Sequence, residues 1–140
     1  MHPTLRNGIA LIVGFVAGGF VNMSLVKTGP LVFPPPAGAD MTTPEGVVAA
    51  MPHLQPVHFV FPFLAHALGT FAGAFAAQHL AVSRRAVLAW IIGGLTLCGG
   101  IAATFMIPAP TWFVALDLVV AYVPMTWLAI RLGAKLRPGT

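Results

Sequence analysis

Charge is what this chain lacks. Its 140 residues include seven Lys and Arg and three Asp and Glu, 7% in all, where a soluble domain carries about a quarter. That shortage argues against a water-soluble globular domain. Despite a pI near 10.3, it also argues against a nucleic-acid partner, because the few basic residues form no continuous face. A single cysteine, Cys98, excludes an intrachain disulfide and reads as a small packing residue. Motifs of familiar chemistry are missing too: no nucleophile elbow, phosphate loop, dinucleotide fingerprint or paired carboxylates, and no HxxH, HExxH or CxxC spacing.

What is present is apolar length. Runs at about 5–26, 57–80, 87–107 and 112–132 each approach the roughly 20 residues a helix needs to cross a bilayer. Backbone polar groups in lipid must bond internally, and runs this long suit helices rather than barrel strands. The expected fold is all-α: an integral membrane four-helix bundle forming one transmembrane domain over 1–140. Its first run exceeds a signal-peptide core and lacks a clear cleavage site, so it is read as a retained span. Arg6, Arg84, Arg85, Arg131, Lys135 and Arg137 flank one side of these spans, and only Lys27 the other. The positive-inside rule then makes both termini cytoplasmic and puts segment 27–56 outside.

Small residues recur at spacing four: Gly14, Gly18 and then Asn22 in the first run; Ala65, Gly69, Gly73 and Ala77 in the second. Such ladders let helix backbones approach closely, within one chain or between copies. A homo-oligomer is one expectation, with the lipid bilayer as the other partner. Segment 27–56 is too long for a plain connector. Gly29-Pro30 and Pro34-Pro35-Pro36 favour extended backbone. A short helix over 45–51 should follow, started by a Thr42–Glu45 capping box or by Thr43 with Pro44 at the first helical position.

Ionisable groups inside a bilayer are costly and mark functional sites by default. Asp117 is the one acid within a span, about 8 Å past Trp112 at 1.5 Å per residue. His66 falls about 14 Å beyond Val57, and Pro62 should kink that span and free carbonyls to line a polar cavity. His58 sits near the interface. The expected ligand or proton site is Asn22, His58, His66 and Asp117, with Asp40, Glu45 and His53 in a covering lid. His58 and His66 are about 12 Å apart along a straight helix and cannot share one ion. A divalent metal would therefore need His66 and Asp117 with a further ligand. Three functions stay open: a binding or transport protein for a cation, proton or small ligand; a membrane-embedded metalloenzyme acting on a lipid; or a structural assembly protein.

The runs Pro34-Pro35-Pro36-Ala37-Gly38-Ala39-Asp40, Glu45 and His58-Phe59-Val60-Phe61-Pro62-Phe63-Leu64-Ala65-His66-Ala67-Leu68-Gly69-Thr70, with Pro108-Ala109-Pro110 and Trp112 to Asp117, carry a resemblance. The chain resembles a family of small, uncharacterised bacterial four-span membrane proteins with this central signature. The resemblance implies a multi-pass protein of the bacterial plasma (inner) membrane and no particular activity.

Overall fold

The computed structural model describes residues 2–136, so Arg137 lies outside them. Among the described residues the chain is all-helical, with no strand: α1 (Pro3–Val32), α2 (Pro44–Ala50), α3 (Val60–Leu80), α4 (Arg85–Met106), α5 (Thr111–Val120) and α6 (Val123–Leu136). Four stretches are long and apolar enough to cross a membrane: α1, residues 56–80, α4, and α5 with α6. They run up and down in sequence order. One end of the bundle gathers Arg6, Arg84, Arg85 and Lys135, and the other carries the 33–59 segment.

Helix α3 is the hub, touching α1, α4 and α6. Its contact with α1 is made backbone to backbone. A methyl placed on Gly14 would lie 2.7 Å from the Gly73 carbonyl, and one on Gly18 would lie 2.7 Å from that of Gly69. The two ladders are thus occupied by each other within one chain, and Asn22 continues the contact against Gly69. They are not the free surfaces an oligomer would use. Ala74, Ala77, Ala89, Ile92 and Ala129 fill the centre. Such small side chains suit helices held together by dispersion and close approach, since lipid supplies no hydrophobic drive between them. Large apolar residues point outward instead, Phe20, Leu31 and Phe105 being at least 74% exposed.

Side-chain bonds fasten the basic end. The Asn7 amide donates to Ser83 Oγ (2.9 Å) and accepts from the Val82 N–H (3.1 Å), tying the start of α1 to the α3–α4 turn. Near the same end Gln78 is buried and donates to the Ala129 carbonyl of α6. That contact is possible because Gly133 has no side chain to fill the space.

Three expectations need correction. The first span does not end near Val26: α1 continues through Gly29-Pro30 to Val32. Pro30 removes one backbone bond, but it lies in the last turns, where Phe33 N–H closes onto the Gly29 carbonyl (2.8 Å). There Gly29 sits flush on Phe61, and the Phe33 and Phe61 rings meet edge to face at 5.9 Å. Pro62 does not kink its span, because regular helix starts only at Val60 after a 3-10 turn over Pro56–Phe59. A proline in a first turn replaces an N–H that has little to bond. The fourth span is not continuous. It breaks at Ala121 and Tyr122, where Pro124 offers no N–H to the Val120 carbonyl and disfavours helix at the residue before it.

Candidate functional site

His66 and Asp117 belong to parallel segments, α3 and α5, that start at the same end. Each lies six residues past its helix start, Val60 and Thr111, or about 9 Å at 1.5 Å per residue. The two side chains therefore arrive at one depth, not at the separate depths their spans suggested. His66 Nδ1 lies 2.9 Å from both carboxylate oxygens of Asp117. The Tyr122 hydroxyl, from the break between α5 and α6, donates to Asp117 Oδ2 at 3.1 Å. The imidazole and phenol rings stack 5.9 Å apart. Asp117 and Tyr122 are 5% and 2% exposed, while His66 keeps partial access.

Tyr122 is the site residue that the sequence reading passed over. Its ring lies on Gly100 of α4, where an added methyl would collide with the hydroxyl oxygen. The signal was a lone tyrosine two residues before a proline, opposite a glycine pair. At the next turn Thr126 donates both its N–H (2.9 Å) and its hydroxyl (2.8 Å) to the Tyr122 carbonyl, so the broken backbone stays bonded.

His66 and Asp117 form the floor of a cavity of about 300 Å³, and Tyr122 holds Asp117 from behind it. Its walls are Val26, Gly29 and Pro30 of α1, Ala103 and Thr104 of α4, and Ile107 just beyond α4. The helices part here; towards the basic end Leu11 of α1 packs against Leu88 and Ala89 of α4. The roof is Met41, Val47, Met51 and Leu54 of the 33–59 segment. That segment is seated on an aromatic cluster, with Phe59 4.9 Å from Phe113 and 5.5 Å from Trp112. The 33–59 segment thus turns apolar residues towards the cavity.

Its polar residues serve the lid's own folding. Thr43, not Thr42, caps α2, accepting from the Gly46 N–H at 3.1 Å with Pro44 at the first helical position. Asp40 holds that cap. Its Oδ1 accepts from the Thr42 N–H (2.8 Å) and hydroxyl (2.6 Å), and its Oδ2 from the Thr43 hydroxyl (3.0 Å). The Thr42 hydroxyl, then its N–H and the Thr43 hydroxyl, hold the Asp40 carboxyl below the ordinary value of 3.8. Glu45 is exposed in the first turn of α2, and His53 borders an open groove beside Pro34, Pro36 and Gln55. Neither lines the cavity with His66.

His58 does line the cavity, yet both its nitrogens are committed. Nδ1 accepts from the Gln55 N–H at 2.8 Å, which leaves the proton on Nε2, 3.1 Å from the Pro34 carbonyl to which it donates. It latches the proline run onto the start of α3. Asn22 lies against Gly69 and is not in the cavity wall. Of the four expected site residues, the structure joins two.

The metal expectation fares less well. Among the described residues no three His, Cys, Asp or Glu side chains converge as a ligand set. Zinc sites use three or four protein ligands; His66 and Asp117 are a pair bonded to each other.

Comparison of the chain with protein-family models, with curated proteins and with solved structures gave no match. The chemistry of the site is therefore read from its own atoms. A carboxylate that orients an imidazole through Nδ1 leaves Nε2 for a ligand or a proton. No protein atom among the described residues bonds that Nε2, and it is not among the buried polar atoms.

Proposed function

We propose that this chain is a multi-pass protein of a bacterial plasma membrane that binds a small, largely apolar molecule within the outward half of its bundle. His66 and Asp117 meet the polar end of that molecule and exchange a proton there. The carrying observation is the 2.9 Å His66–Asp117 contact at the floor of a largely apolar cavity of about 300 Å³. Small-molecule sites have this composition, with a few convergent polar groups in a hydrophobic wall, and this volume is at the lower end of their range. A helix broken at the site is also how membrane proteins bring polar groups to intramembrane ligands. The basic residues at the far end support a cytoplasmic placing of that end, as does the resemblance to the four-span family. Movement of the bound molecule across the membrane would require an assembly of chains using faces other than the glycine ladders.

The test is native mass spectrometry of the chain released from lipid nanodiscs, beside the cavity-filling variant Ala103→Phe. A small molecule retained by the wild type and lost in the variant is expected. No retained mass in either protein would overturn the reading.

A second reading is a structural protein without a ligand, favoured by the internal bonds that occupy Asp40, His58 and Gln78. It predicts that Ala103→Phe changes stability alone.

A further inference from the structure

Every side-chain donor in the cavity wall is already committed. The His66 Nδ1–H donates to Asp117, which also accepts from Tyr122 behind the wall, and His58 donates from Nε2 to Pro34. The Thr104 hydroxyl donates to the Ile101 carbonyl at 2.7 Å. What remains facing the space are acceptors: the Nε2 lone pair of His66, the Thr104 oxygen and the outer lone pairs of Asp117. Among the described residues no Lys or Arg lines the cavity, and Asp117 is its only carboxylate. The titratable groups around that carboxylate are His66, Tyr122 and, higher in the wall, His58. The described wall thus sets a carboxyl group at membrane depth with no Lys or Arg beside it, where acidic groups are costly unless partnered.

We propose that the ligand is an apolar molecule headed by an ammonium group, which donates to His66 Nε2 and neutralises the charge of Asp117. This rests on the cavity reading above and names the ligand class for it. A neutral alcohol could donate but not neutralise; a carboxylate would meet only acceptors and a like charge.

The experiment compares four eight-carbon probes of matched length on the whole chain in nanodiscs: octylamine, octyltrimethylammonium, octanol and octanoate. Octylamine should bind at least about tenfold more tightly than octanol, the difference expected of a charge-assisted bond. Octyltrimethylammonium should fall between them, and octanoate last. Asp117→Asn should erase the preference. If that variant does not fold, His66→Leu, which removes the acceptor, should bring octylamine down to the level of octyltrimethylammonium. Octanol or octanoate matching octylamine, a preference surviving Asp117→Asn, or octylamine staying above octyltrimethylammonium in His66→Leu would overturn the ammonium assignment and leave the cavity standing. Failure of all four probes to bind would overturn the cavity reading itself.

Discussion

Gly100 of α4 lies so close to Tyr122 that one methyl on it would collide with the phenol oxygen, itself 3.1 Å from Asp117. Gly99, next in sequence, has nothing within 4 Å. Gly100→Ala should displace the phenol and destabilise the bundle by about 1–3 kcal/mol, the usual range for overpacking. Gly99→Ala should leave both unchanged. The chain has one tyrosine, so a ring-labelled sample gives a single resonance that reports the displacement. An unmoved resonance in Gly100→Ala would contradict the geometry.

The α1–α3 contact makes a parallel forecast. Gly18→Leu sets a side chain against the Gly69 carbonyl, whereas Gly19 faces open space. Gly18→Leu should cost about 3 kcal/mol or more, the upper end of overpacking, with Gly19→Leu near neutral. Thermal unfolding of both variants in one detergent decides it.

His66 and Asp117 should be coupled energetically as well as spatially. Bonds to a charged partner contribute about 1.5–3 kcal/mol, so a double-mutant cycle with His66→Gln and Asp117→Asn should return a coupling of that order. A coupling near zero would mean that the two groups do not share a proton in the folded protein.

Asp40 sets a pH dependence in the lid. Its carboxyl is held below its ordinary value by the Thr42 and Thr43 bonds. A depressed folded value means the contribution is fully present above the unfolded value near 4 and is lost as pH falls through the lower, folded one. Amide exchange at Gly46, bonded to the Thr43 cap, should therefore quicken on acidification relative to a helix-interior amide. Asp40→Asn should show the same loosening at neutral pH. Equal protection in both proteins would remove Asp40 from the cap.

The four spans were legible because a bilayer imposes a length and a polarity on any helix within it. The meeting of His66 and Asp117 was legible for a related reason: groups so costly in lipid must find partners, and few were on offer. Helix ends were harder. Whether Pro30 or Pro62 breaks a helix depends on its distance from the helix end, and that end is set by Gly29 resting on Phe61 and by the aromatic seat under Phe59. Neither contact is local in sequence. Tyr122 escaped notice because a tyrosine in an apolar run needs no special partner, and the glycine that accommodates it lies 22 positions away on another helix. The acids of the loop misled in the opposite sense. Asp40 and Glu45 looked available, but a cap uses one and solvent surrounds the other.

The small-residue seam joining α1 to α3 also bears on traffic through the molecule. Below His66 and Asp117 the backbones touch at Gly14, Gly18, Gly69 and Gly73, and the alanine-lined centre is fully closed. Beyond that, Asn7 and Gln78 bolt the far end. In this conformation one chain is a cul-de-sac: whatever reaches the carboxylate must leave by the way it came, unless the seam itself unzips.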